Sequence, residues 1–396
     1  MNNKKTLLYF AIFFVLYEIN TYLSNDMIMP AMVNVVNGFH APLSMVAVSL
    51  SLYIIGGSLL QLFLGPITDV MGKRYVMLFG NILFLVASFV ITFSSTIEQF
   101  LVARLFQGMG MCFIFIGYAL IHELFNDVMA VKLTTILANI AITAPLIGPI
   151  IGSMIASNFT WHYIFVISGV LGMITLIGLY KYMPQGTIIH RKINLAVIFR
   201  SYKNIFMNRN FIFGVTINTI SMIPIIAWIG LSPVIVFNYL HQSFIMYILY
   251  QAAMFVGLIT SSLLIQFIAG RISFNKLFKI GSNFFICGVL FSIVLHQYSY
   301  LFMLGMFLYS FGFGLYNGSM MRIALMSTGE SQGLTASVSS LISGIGMAGG
   351  LEIYNIILSH LNFSLFSYNL ISTIILIIAY FATIRFANNN KDRVWR

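Results

Sequence analysis

Three ionisable residues stand where so apolar a chain should not tolerate them. Glu18 and Asp26 interrupt the first long apolar stretch, and Arg104 interrupts a later one. A charge near a bilayer centre costs about 2.5 to 3.5 kcal/mol on insertion scales, so each one kept needs a partner, water or a task. At 1.5 Å rise per residue, Glu18 lies about 18 Å above Thr6, near the middle of a hydrocarbon layer about 30 Å thick. Asp26 lies about two turns further on. Glu18, Tyr22 and Asp26 fall at i, i+4 and i+8, a slowly drifting stripe on one helix that is expected to line a cavity. From Tyr17 onward the stretch turns polar, through Asn20, Thr21, Ser24 and Asn25.

Arginine keeps its proton, so Arg104 must find a carboxylate, backbone carbonyls or water. Two readings of the trio stand. In one, the acids are satisfied by hydrogen bonds between helices, and Arg104 braces the fourth helix to the first through a fixed ion pair. In the other, the carboxylates load and release protons as their surroundings change, with Arg104 tuning them. The remaining candidates are weaker. Glu352 reads as an interfacial acid, and Glu123 either serves a gate or pairs with Lys132. His40, His162, His241, His296 and His360 fall near outer connections and read as ordinary interfacial residues.

The elements that hold these residues follow from composition. Of 396 residues, 60% are hydrophobic and 7% charged, against roughly 25% charged in soluble domains. A water-soluble globular protein is excluded, and so are a disordered chain and a collagen-like one. Apolar runs broken by Gly, Pro, Asn and charge predict an all-α membrane protein with twelve transmembrane helices. They are expected near 6–37, 43–70, 75–94, 98–123, 130–157, 160–182, 210–238, 244–269, 275–295, 299–322, 331–358 and 364–385. The first, second, fifth and eleventh exceed the bilayer thickness, which predicts tilt or kinks.

Basic residues collect on cytoplasmic connections. With the N-terminus inside, every one of the 20 Lys and Arg residues except Arg104 falls at an inner end or connection, so both termini are expected to be cytoplasmic. The run after Lys4 and Lys5 reads as a first span and not a signal peptide, because polar residues follow from Glu18 with no small-residue cleavage pattern. The net charge of +11 is thus set by membrane topology and does not point to nucleic acid. Residues 1–183 form an N-terminal six-helix half, 184–209 a basic cytoplasmic connection, and 210–396 a C-terminal half with a short tail. A pseudo-symmetric pair of six-helix halves is expected, and a faint echo supports it: Gly148, Pro149 and Gly152 in the fifth span against Gly344, Gly346, Gly349 and Gly350 in the eleventh. Cys112 and Cys287 sit inside apolar runs and read as small core residues, not as a disulfide or zinc framework. Neither a cofactor nor a metal is expected. Of the acids, only Glu123 and Asp127 lie close together, too few for metal-assisted chemistry by an enzyme.

At this point the motifs resemble a known family. The connection after the second span reads Gly65-Pro-Ile-Thr-Asp69-Val-Met-Gly72-Lys73-Arg74, similar to the inner-loop motif of the major facilitator superfamily, with Val70 where that motif usually has arginine. The fourth span carries Arg104-Leu-Phe-Gln107-Gly108-Met-Gly110, which resembles the superfamily's motif for proton coupling. The fifth carries Ala144-Pro145-Leu-Ile-Gly148-Pro149-Ile-Ile-Gly152, which looks like the motif of its drug:proton antiporters. The first span around Leu16–Pro30 and the seventh around Pro224–Pro233 resemble a narrower group of multidrug transporters in it. The resemblance implies that Glu18 and Asp26 handle protons and cations, that Arg104 is their conformational partner, and that Tyr22, Asn25, Asp26, Ile225 and Ile226 line a drug pocket. It also implies gating roles for Gly65, Asp69, Gly72, Lys73, Arg74, Pro145, Gly148, Pro149 and Gly152. Asp69 is expected to pair with Lys73 or Arg74 and with the N-terminus of the eleventh helix near Ser331.

The function these features imply is a proton-coupled multidrug efflux antiporter of a bacterial inner membrane. It would export lipophilic neutral or cationic compounds by alternating access, and its partners would be drugs, protons and the lipid bilayer. A monomer suffices. The alternative is an exporter or proton symporter of the same family specific for one metabolite, sugar or siderophore. Narrow sugar recognition wants more convergent polar groups than these helices offer.

Overall fold

A computed structural model of the chain describes residues 2–185, 195–268, 272, 274–295 and 297–389. Arg191, Lys192, Arg271, His296, Lys391, Arg393 and Arg396 lie outside the described residues. Among the described residues there is no strand. Among the same residues ten helices are long and apolar enough to cross a membrane, and two bent pairs, each counted as one span, bring the number to twelve. The chain divides into two compact units, Met1–Ile198 and Phe199–Arg396.

The first unit opens with α1 (Asn2–Ile28), which passes through a tight turn at Met29–Ala31 into α2 (Met32–Gly38). The second span is the pair α3 (Met45–Leu59) and α4 (Gln61–Met71), bent by 42°. The third is α5 (Lys73–Thr92). The fourth is α6 (Ile97–Met109), carried on by a short turn into α7 (Ile114–Leu124). The fifth is α8 (Asp127–Asn158) and the sixth α9 (His162–Tyr182). Helix α8 bends by 47° between Ala141 and Thr143, where Pro145 cannot donate to the Ala141 carbonyl. Polar caps fix several starts: Thr96 accepts from the Gln99 amide at 3.3 Å and Asn126 from Met129 at 3.0 Å, each satisfying a donor that the helix leaves free.

The boundary of the two units falls within α10 (Leu195–Met207), a helix in the stretch that the sequence reads only as a basic connection. The second unit holds α11 (Arg209–Pro233), α12 (Phe244–Ile268), α13 (Phe274–Val294), α14 (Ser299–Met326), α15 (Gln332–His360) and α16 (Leu365–Asn389).

Helices in lipid gain little from hydrophobicity when they pair, so close packing through small residues holds them together. The two units use the same scheme. In the first, α1 packs on α8 and α3 on α6; in the second, α11 packs on α15 and α12 on α14. Gly148 and Gly152 of α8 lie against the backbone of Asp26 and Met27, while Gly346 and Gly350 of α15 lie against Thr219 and Ile223 of α11. Of the glycine echo, Gly346 and Gly350 thus stand at the crossing that corresponds to that of Gly148 and Gly152, while Gly349 faces open space. One expectation needs correction: Cys112 is buried, but Cys287 is exposed on α13 and is no core residue.

Candidate functional site

Neutral hydrogen bonds fasten α1 within the first unit. The Tyr17 hydroxyl donates to the Gly110 carbonyl at 2.7 Å, and the Tyr53 hydroxyl of α3 donates to the Thr21 carbonyl at 2.7 Å. Asn20 and Ser168 of α9 exchange two bonds, at 2.9 and 3.0 Å. These contacts occupy one side of α1. At 3.6 residues per turn, Glu18, Tyr22, Asn25 and Asp26 fall on another.

Arg104 is fully buried and has a partner for each of its three guanidinium nitrogens. Its Nε donates to Ser49 Oγ at 3.2 Å, its Nη1 to Gln107 Oε1 at 2.7 Å and its Nη2 to Asn25 Oδ1 at 2.6 Å. The guanidinium carbon lies 4.5 Å from the centre of the Tyr53 ring, in reach of a cation–π attraction. Among the described residues no ion pair joins Arg104 to either acid. Asn25 stands between, because its Nδ2 donates to Asp26 Oδ1 at 3.1 Å. The fourth helix is thus braced to the first through an amide, not through the direct ion pair that one reading of the sequence expects. Behind Arg104, Gln107 Nε2 donates to Ser88 Oγ of α5 at 3.0 Å, which locks the acceptor in place.

Glu18 belongs to a separate set. It is fully buried, accepts from the Tyr118 hydroxyl of α7 at 3.2 Å through Oε1, and has no hydrogen-bond partner at Oε2 among the described residues. Eight residues separate it from Asp26, about 12 Å along α1. The structure therefore brings Asp26, Asn25 and Arg104 together and leaves Glu18 with Tyr118. Tyr22 lies between the two acids and is half-buried.

The glycines of the fifth span explain how Asp26 is held. A methyl group at Gly148 would sit 2.5 Å from Asp26 Cβ, and one at Gly152 would run into the Met27 carbonyl. Only glycine lets α8 approach α1 this closely. Pro145 and Pro149 lie in the same helix, beside the bend. On the other flank, Gly108 of α6 sits on the Tyr53 backbone and Gly56 of α3 on that of Leu105, which places Ser49 and Tyr53 beside Arg104.

The inner-loop motif is arranged differently from its reading in sequence. Asp69 is exposed and makes no ion pair with Lys73 or Arg74 among the described residues. Gly72, with φ 83°, ends α4 in a left-handed conformation and starts α5 in a new direction, so the i, i+4 relation of Asp69 and Lys73 does not hold on one helix. Lys73 Nζ instead meets Glu123 Oε2 at the end of α7, 2.7 Å away. Arg74 Nη2 donates to the Tyr180 carbonyl of α9 at 2.5 Å. Gly65 has open space where a side chain would stand.

In the second unit Ile225 and Ile226 are buried on α11, and Ile225 lies about one turn before Trp228. Trp228 lies 5.7 Å from Tyr250, 5.4 Å from Phe302 and 5.2 Å from Tyr368 between ring centres. Pro224 interrupts α11, and its carbonyl accepts from the Tyr368 hydroxyl at 2.8 Å.

The sequence alone gives no role to Ser49, Tyr53 or Tyr118, and marks Gln107 only as part of the motif around Arg104. Gln107 follows Arg104 by three residues and so shares its face; Ser49 and Tyr53 are four apart on one face of an apolar span. Those spacings were the available signals. Tyr118 carried none, since an isolated tyrosine in an apolar run is ordinary.

The model for the Major Facilitator Superfamily matches residues 14–351. The chain is 35% identical over 352 residues to "Multidrug transporter MdfA" of Yersinia pestis bv. Antiqua (strain Angola), spanning 87% of this chain and 86% of that protein. The protein of the same name from Edwardsiella ictaluri (strain 93-146) gives the same identity and coverage. Among solved structures, a D-xylose-proton symporter superposes with a TM-score of 0.73 at 15% identity, covering 94% of this chain and 97% of the symporter; at that identity it speaks for the fold alone. With helices of this number and order, and motifs seated on one another as described, the chain belongs to the major facilitator superfamily, a family of membrane transporters and not of enzymes.

Proposed function

We propose that the chain is a multidrug exporter of a bacterial inner membrane. It works by alternating access, is driven by proton entry, has both termini in the cytoplasm, and takes lipophilic neutral or cationic compounds as cargo. The name carried by relatives at 35% identity over most of their length supports drug transport. The observation that carries the coupling is the Arg104–Asn25–Asp26 chain. A protonated carboxyl gains a donor and loses its charge. Asn25 holds one oxygen toward Arg104 and one amide toward Asp26, so a proton taken up at Asp26 changes what the amide must do and is felt at a guanidinium on another helix. Glu18, with one oxygen held by Tyr118 and the other unpartnered, offers a second acid for a proton or a cationic guest. Coupling then consists of a difference in proton affinity between two conformations, with no covalent step. The first unit offers Tyr22, Asn25 and Asp26 to the cargo and the second Ile225 and Ile226, and weakly directional aromatic and apolar groups admit varied guests.

The test is drug export from cells or vesicles with and without an uncoupler, for wild type, Glu18→Gln, Asp26→Asn and Arg104→Ala. Export is expected to stop with the uncoupler and to fall sharply in Asp26→Asn and Arg104→Ala. Export that survives the uncoupler, or ignores all three changes, sinks the reading.

A further inference from the structure

Helix α10 divides into three faces. Phe199 and Phe206 are seven residues apart, so they share a face to within about 20°. Both are exposed, Phe199 at 74% and Phe206 at 45%. Lys203 lies about 40° from Phe199 and Arg200 about 100°, and both are exposed as well. The third face belongs to the protein. Ile205 is fully buried, and Asn204 Nδ2 donates to Glu330 Oε1 at 2.9 Å in the turn between α14 and α15. Just beyond the helix, Asn208 Nδ2 donates to the Ser327 carbonyl at 2.9 Å, and the Ser327 hydroxyl returns a bond to Asn208 Oδ1 at 3.3 Å. The helix is thus fixed to the second unit on one side, with the two phenylalanines turned away from it, Lys203 beside them, and Arg200 at the boundary of the two faces, about 40° from Asn204 and near Glu330.

Its position says what those residues meet. α11, a membrane span, begins at Arg209, two residues after α10 ends. The helix therefore sits where a span leaves the bilayer. Aromatic rings beside long basic side chains suit that boundary: the rings enter the edge of the acyl region while the charged heads rise to the phosphates. A zwitterionic surface offers Arg200 and Lys203 no net attraction, whereas an anionic one does. We infer that the Phe199–Phe206 face of α10 docks on the membrane surface, and that Arg200 and Lys203 make it selective for anionic phospholipid. The Asn204–Glu330 bond presents that face at a fixed orientation to the second unit.

The experiment uses the full chain in nanodiscs of phosphatidylcholine with or without phosphatidylglycerol and follows hydrogen exchange of the α10 amides. Exchange is expected to slow several-fold when phosphatidylglycerol is present, since each basic residue at an anionic surface is worth about a fivefold change in binding. The difference should shrink at high salt and vanish in the Arg200→Gln, Lys203→Gln double variant. Equal exchange in the two lipids overturns the inference. So does a difference that survives both the salt and the double variant, which would mean burial of the rings without recognition of charge. Should the double variant unfold, the salt titration of the wild type decides by itself. No transport is measured, so failure here is separate from failure of the export reading.

Discussion

Asn25 joins Arg104 to Asp26: its Oδ1 accepts from the guanidinium at 2.6 Å, and its Nδ2 donates to the carboxylate at 3.1 Å. An uncharged side chain therefore mediates between two charged ones on different helices. Because an amide carries both a donor and an acceptor, it can serve Arg104 and Asp26 at once, which neither a carboxylate nor an amine can do.

Replacing that amide should separate stability from transport. In Asn25→Ala, Arg104 keeps Ser49 and Gln107 but loses one bond to a charged group, a loss of roughly 1.5 to 3 kcal/mol, visible as a lower melting temperature in detergent. In Asn25→Asp the guanidinium gains an ion pair, while Asp26 loses a donor and faces a like charge. Drug export should fall at least tenfold in that variant at unchanged membrane abundance. Wild-type export in both variants would show that the bridge has no part in transport.

The fifth-span glycines give a second contrast. A methyl group at Gly152 meets the Met27 carbonyl and one at Gly148 meets Asp26 Cβ, whereas one at Gly65 meets nothing within 4 Å. Overpacking of this kind costs about 1 to 3 kcal/mol. Thermal unfolding of the purified protein should therefore rank Gly152→Ala and Gly148→Ala well below Gly65→Ala, which should match wild type. If all three melt alike, α8 does not bear on α1 as described.

What the sequence made legible, and what it hid, follows from the range of each interaction. The spans were readable because apolar runs and breakers act locally: Pro145 foretold the bend in α8, and the stripe of Glu18, Tyr22 and Asp26 follows from helical period alone. Pairing across helices was hidden. Asn25 is neutral and 79 residues from Arg104, so nothing in its neighbourhood names its partner. Lys73 lies four residues from Asp69 but pairs with Glu123, 50 residues away, because the positive φ of Gly72 turns the chain between them. Helix α10 is hidden because basic residues mark its stretch as a connection, and the period that Phe199 and Phe206 carry spans only about two turns.

The Lys73–Glu123 pair should matter to transport more than to stability. The two side chains are 19% and 25% exposed, and pairs this accessible are worth about 0 to 1 kcal/mol. Glu123→Gln should leave the melting temperature nearly unchanged. Lys73→Glu places two like charges together and should abolish export, and adding Glu123→Lys should restore at least half of it. A reversed pair as inactive as the single change would mean that Lys73 acts through another contact.

Acid should release α10 from the second unit, but only well below neutrality. The Asn204 amide and the Ser201 hydroxyl, with Arg200 nearby, hold the Glu330 carboxyl below the usual glutamate range. A carboxylate held low favours the attached state above its ordinary value, near 4.3, and that advantage fades as pH falls through the lower value. In nanodiscs of neutral lipid, exchange of α10 amides, normalised to the intrinsic rate at each pH, should therefore stay flat from about pH 8 to 5 and rise only below about 4. Glu330→Gln keeps an acceptor for Asn204 and removes the titration, so its profile should be flat throughout. A release near pH 6, or one that persists in Glu330→Gln, would assign the attachment to some group other than this carboxylate.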